Sequence, residues 1–70
     1  MNFCVETEKE SDGRWIAEIA EIPGAMAYGK TEKEALARAY AIALRSIADD
    51  LEESKQAKKE MTVSFAHAGE

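Results

Sequence analysis

The run from Trp15 to Leu36, W-I-A-E-I-A-E-I-P-G-A-M-A-Y-G-K-T-E-K-E-A-L, constrains the fold more than any other part of the chain. Strand, tight turn, strand, helix cap and helix start follow one another with almost no slack. Side chains alternate along a strand, so Trp15, Ala17 and Ile19 share one face and Ile16, Glu18, Ala20 and Ile22 the other. The odd set is assigned to the core, which leaves Ile16 and Ile22 as apolar residues on the second, exposed face. Ile22-Pro23-Gly24-Ala25 reads as a type II turn, because proline presets φ at the second position and glycine accepts positive φ at the third. Ala25 to Tyr28 then forms a short strand that Gly29 ends.

Thr31-x-x-Glu34 is a capping box, in which the Thr31 hydroxyl accepts from the Glu34 amide and the Glu34 carboxylate reaches back to the Thr31 amide. Glu32 and Glu34 also suit the positive end of the helix that begins there. Residues placed at 100° intervals put Leu36, Tyr40, Ala43, Leu44, Ile47 and Leu51 in one buried stripe and Arg38, Arg45, Asp49 and Glu52 opposite. The helix is expected to end near Glu53, roughly 30 Å from its start. Ile42 falls outside the stripe, beside Ala35 and Ala39, and is expected to be the clearest exposed apolar residue on the helix.

Before this run, Phe3 to Thr7 reads as a first strand, joined to the second by a hairpin turn at Asp12-Gly13. After it, Ser54 to Glu60 is charged, with Lys55, Lys58 and Lys59 beyond an acidic helix end, as a frayed last turn or a linker. Met61-Thr62-Val63-Ser64-Phe65 alternates cleanly and makes a fourth strand, with Met61, Val63 and Phe65 facing the helix; Ala66 to Glu70 is a short tail. The predicted architecture is a single α+β domain over residues 1–70, ordered β-β-β-α-β. It has a three-stranded antiparallel sheet, a fourth C-terminal strand and one long helix packed on one face.

Seventy residues can bury only about 60% of the surface exposed by the unfolded chain, so the core is thin. The single cysteine excludes an internal disulfide, and no Cys/His cluster suggests a metal staple. Self-association, as a homodimer or larger, is the remaining source of stability. Fourteen acidic against nine basic residues give a net charge of −5, which opposes binding to phosphate backbones or anionic membranes and favours a basic protein partner. No window approaches a membrane span and the N-terminus does not resemble a signal peptide, so a cytoplasmic location is expected.

Few residues carry chemistry. His67 lies in a small-residue tail and is expected to be solvent-exposed and without function; Cys4 is expected to be a buried or half-buried filler. Asp49, Asp50, Glu52 and Glu53 spread over more than one helix face without a ligand loop, and Gly24 and Gly29 lack the surroundings of a phosphate-binding loop. Trp15 and Tyr28 read as core or interface packing residues, since stacking platforms for single-stranded nucleic acid come with a basic groove. No catalytic, cofactor or metal site is expected.

The elements just described resemble the HicB-like antitoxin family. The similarity is carried by Trp15-Ile16-Ala17-Glu18-Ile19, Glu21-Ile22-Pro23-Gly24, Met26 to Gly29 and Thr31-Glu32-Lys33-Glu34-Ala35-Leu36, and it extends over roughly residues 3–65. The resemblance implies a partial ribonuclease H-like fold that acts by binding without turnover. Full-length members neutralise a small basic HicA toxin, an mRNA-cleaving ribonuclease, by covering its active site, and many add a C-terminal DNA-binding domain. This sequence looks like a short, stand-alone member, so the binding role carries over and repression does not. The expected contact residues are Ile16, Ile22, Tyr28 and Ile42. Alternatives are an oligomeric binding or regulatory module without a toxin partner, and a direct nucleic-acid-binding domain, which the net charge opposes. An enzyme on the ribonuclease H plan would need several carboxylates converging on metal, and only Glu18 and Glu21 sit in the predicted core strands.

Overall fold

A computed structural model describes residues 1–56 and 59–67. The elements are β1 (Asn2–Lys9), β2 (Trp15–Glu18), β3 (Met26–Gly29), α1 (Glu32–Ser54) and β4 (Ser64–His67). They form an α+β fold, a four-stranded sheet in the order β3-β2-β1-β4 with the helix on one face. β1 with β2, and β2 with β3, pair antiparallel, whereas β4 joins the far side of β1 in parallel. The sheet is therefore mixed. A parallel neighbour requires a crossover connection, and α1 supplies it by carrying the chain back across the sheet before β4 begins.

The turns behave as their residues dictate. Gly24 has φ 83° and the Ala25 amide donates to the Ile22 carbonyl at 3.0 Å, as the type II turn requires. Gly13, at φ 92°, serves the β1–β2 hairpin. At the helix start Thr31 is extended and accepts from the Glu34 amide at 3.1 Å. The return bond differs from expectation: the Glu34 carboxylate accepts from the Lys30 amide, one residue earlier, at 2.9 Å. At the far end Lys55 adopts the left-handed conformation and its amide donates to the Leu51 carbonyl, which closes the helix. Lys58 and residues 68–70 of the expected tail lie outside the described residues.

Among the described residues the core is made by Val5, Ala17, Ile19, Ile22, Ala25, Ala35, Ala39, Ala43 and Ile47. Four of these come from the helix and three of the four are alanine. The buried face of α1 is thus rotated by about 80° from the row of Leu36, Tyr40 and Leu44, at 100° per residue. The cause is close approach. A Cβ on Gly29 would come within 2.5 Å of the Ala35 backbone nitrogen, so the first helical turn lies almost against the end of β3. Large side chains cannot fit between backbones at that distance and are displaced to the flanks. Leu44 is consequently 48% exposed.

Two of the expected exposed residues are corrected by this packing. Ile22 is buried, because β2 ends at Glu18 and the chain then folds inward, with the Ile22 amide donating to the Ile19 carbonyl at 3.1 Å. Strand alternation stops applying before residue 22. Ile42 is half-buried against the core, since the rotation brings its flank toward the sheet. Two further differences are local. Cys4 is exposed, on the uncovered side of β1, and Met61 precedes β4 and is exposed, while Val63 and Phe65 do pack against the core.

Gly29→Ala and Gly24→Ala separate steric from conformational cost. Gly29→Ala should cost about 2 kcal/mol or more through backbone overlap, and Gly24→Ala about 1 kcal/mol through positive φ. Urea unfolding midpoints at equal m-value decide it; equal midpoints for the two variants would contradict the close approach.

Candidate interaction surface

Because α1 covers one face of the sheet, the other face is open, and strand register determines what it displays. Directly opposed residues point to the same side, so Glu6, Glu18 and Met26 form one cross-strand row and Glu8, Ile16 and Tyr28 the next. Met26 and Tyr28 are among the exposed large hydrophobic residues, at 45% and 37%, and Ile16 is half-buried between them and the carboxylates. Of the four residues expected to make contact, the structure brings together Ile16 and Tyr28. Ile22 and Ile42 belong to the opposite side of the sheet.

Glu6 and Glu18 are direct neighbours of like charge on adjacent antiparallel strands, an arrangement that destabilises the sheet. Neither they nor Glu8 takes part in any ion pair among the described residues. Three carboxylates thus face water around an apolar centre. Glu21, expected in a core strand, lies in the turn after β2, and its carboxylate accepts from the Cys4 amide at 3.2 Å. Among the described residues no set of convergent strand carboxylates of the ribonuclease H kind results.

One cation already uses this face. The Arg14 guanidinium lies 4.4 Å from the centroid of the Tyr28 ring, within cation–π range. It is held there by Asp12, whose two carboxylate oxygens accept from the Arg14 amide at 3.1 Å and from Nε at 2.8 Å. The backbone hydrogen bond from Arg14, with the adjacent guanidinium, keeps the Asp12 carboxyl below its ordinary value. The Tyr28 ring is therefore an exposed aromatic surface matched to positive groups.

On the helix side, a second cluster joins three elements. The Thr7 hydroxyl lies 2.7 Å from a Glu32 carboxylate oxygen and 2.7 Å from His67 Nε2, and Nε2 is 3.6 Å from the same Glu32 oxygen. The His67 side chain is only 10% exposed, which corrects the expectation of a solvated tail histidine. Continuing the Val63 and Phe65 alternation two residues further would have placed His67 on the inward face. The three groups are those of a nucleophilic triad but are connected in another order. The Thr7 hydroxyl, with one proton, thus reaches both a carboxylate, which only accepts, and an imidazole nitrogen, which donates or accepts with its tautomer. The cluster is a clasp that fastens β4 and the helix start to β1.

Among the described residues no group of three His, Cys, Asp or Glu side chains is placed to hold a metal ion, and no helix is long and apolar enough to cross a membrane. No protein-family model matches the chain, and neither a curated protein nor a solved structure does.

The Glu6–Glu18 opposition has a measurable signature. Glu18→Gln should raise stability by a few tenths of a kcal/mol, up to about 1, with the gain shrinking as salt is raised to about 0.5 M. Urea unfolding at two ionic strengths tests it; a loss of stability, or a gain independent of salt, would contradict the repulsion.

Proposed function

We propose that the chain is a non-catalytic binding module that captures a small basic protein on the open face of its sheet. The observation that carries this is the juxtaposition of Glu6, Glu8 and Glu18, all without ion-pair partners among the described residues, with the apolar and aromatic Ile16, Met26 and Tyr28 on one uncovered surface. Unneutralised like charges raise the free energy of the unbound sheet, and a cationic partner removes that cost on binding. The Arg14–Tyr28 contact illustrates how an arginine or lysine of the partner engages the same ring. An aromatic anchor flanked by charged residues has the make-up of a protein-recognition surface.

The resemblance to HicB-like antitoxins supplies the partner class: a basic HicA-like, mRNA-cleaving ribonuclease, neutralised by occlusion in the cytoplasm. Ile16 and Tyr28 stay as contact residues in this proposal, with Met26 and the three carboxylates added. Ile22 and Ile42 support the surface from within. The acidic face opposes direct nucleic-acid binding, since phosphates would meet carboxylates. A second reading, an oligomeric binding module that acts without a toxin, is favoured by the thin core, whose largest fully buried side chains are only Ile19 and Val5.

Co-expression with a HicA-like ribonuclease tests the principal reading. The expected result is relief of growth arrest and a complex that survives size exclusion, with an association rate that falls as ionic strength rises. Glu18→Lys and Tyr28→Ala should each weaken the complex at least about tenfold, the loss of roughly 1.4 kcal/mol. Persistent arrest with no complex would overturn the antitoxin function.

A further inference from the structure

The two edges of the sheet differ. At the β3 edge the Tyr28 carbonyl accepts from the Arg38 guanidinium at 2.9 Å, and the Met26 amide donates to the Gly24 carbonyl at 2.9 Å. Those backbone groups are committed, and a charged side chain lies across the edge, which blocks addition of another strand. At the β4 edge the Ser64 amide donates to the Met1 carbonyl at 2.9 Å, which fixes the phase of the ladder. Ser64 and Ala66 therefore turn their backbone groups toward β1, and Phe65 turns its amide and carbonyl outward. No hydrogen bond outside the ladders reaches the Phe65 backbone among the described residues. β4 carries no Asp, Glu, Lys, Arg or proline, so of the usual protections of an edge only its shortness is present among the described residues.

The helix-bearing side of this edge is also incompletely covered. α1 packs chiefly on β3 and β2 and barely reaches β4. The gap is filled by an aromatic stack, with Tyr40 and Phe65 ring centroids 4.7 Å apart and Phe3 and Phe65 5.7 Å apart, bordered by the exposed Leu44. An open strand edge and an apolar border thus coincide.

We infer that the β4 edge pairs with the β4 edge of a second copy, antiparallel about a two-fold axis near Phe65 and Ala66, to give a continuous eight-stranded sheet. This deepens the self-associating reading given above. A second copy fits this edge because an antiparallel two-fold presents each Phe65 amide and carbonyl with the same pair of groups, and β4 carries no Asp, Glu, Lys or Arg, so two acidic chains meet where the strand itself adds no repulsion, with Glu6 and Glu8 set back on β1 and Glu18 on β2. The same two-fold brings both helices to one side, so that Tyr40, Leu44 and Phe65 of the copies border a shared apolar seam. It also makes the two acidic faces coplanar and contiguous, doubling the surface offered to a basic partner.

Ala66 is exposed on the open face and close to the two-fold, so charges placed there meet across the seam without touching the core. Sedimentation of the full chain at micromolar concentration should show a dimer. Ala66→Glu and Ala66→Lys should each weaken it at least about tenfold while circular dichroism stays native-like, and a one-to-one mixture of the two variants should restore it. A wild-type dimer untouched by either substitution would overturn the β4 interface while leaving self-association intact. A wild-type monomer would overturn both.

Discussion

The contact on which the rest of this structure depends is the near meeting of two backbones, the first turn of α1 and the end of β3 at Gly29. With Ala35, Ala39 and Ala43 as its buried face, the helix settles close to the sheet and gains dense packing from small groups. The same closeness limits how much apolar surface the core can enclose. Leucine and tyrosine side chains that would thicken a larger core are pushed to the helix flanks, where Tyr40 stacks on Phe65 and Leu44 meets solvent. A thin core and apolar flanks are two results of one geometric choice.

The one-sided placement of α1 decides the chemistry of the other side. Strands one residue out of phase with the core face display Glu6, Glu8 and Glu18 around Ile16, Met26 and Tyr28. A sheet selected for stability alone would alternate charges across its strands; here like charges oppose each other in the middle of the face. Local conflict of this kind, in a molecule whose turns and caps otherwise agree with its fold, is what the proposed binding role explains. The clasp of Thr7, Glu32 and His67 shows the contrasting case, where a hydroxyl, a carboxylate and an imidazole satisfy one another and hold β4 in place.

The architecture was legible in the sequence because its signals are local. Asp12-Gly13, Pro23-Gly24 and Thr31-x-x-Glu34 each specify a backbone conformation within a few residues, and the order β-β-β-α-β follows from them. The misplaced residues depend on information that is not local. Ile22 was placed by extending strand alternation past Glu18, where the strand stops. Ile42 and Leu44 were placed by weighting side-chain size, whereas the distance between helix and sheet favoured alanine. Pairing of β4 with β1 in parallel, and with it the enclosure of His67, depends on contacts between the two ends of the chain. Ile16 and Tyr28 share the open face because alternation holds well inside β2 and β3.

The central claim is that the open sheet face, and not the helix, is the binding surface for cationic protein groups. Backbone amide NMR of the full chain during titration with a short arginine-rich peptide tests it most directly. Chemical-shift changes confined to the rows of Glu6, Glu8, Ile16, Glu18, Met26 and Tyr28, and diminishing with added salt, are the result expected. Changes centred on the exposed acidic residues of the helix, Asp49, Asp50, Glu52 and Glu53, with the sheet rows unmoved, would contradict it.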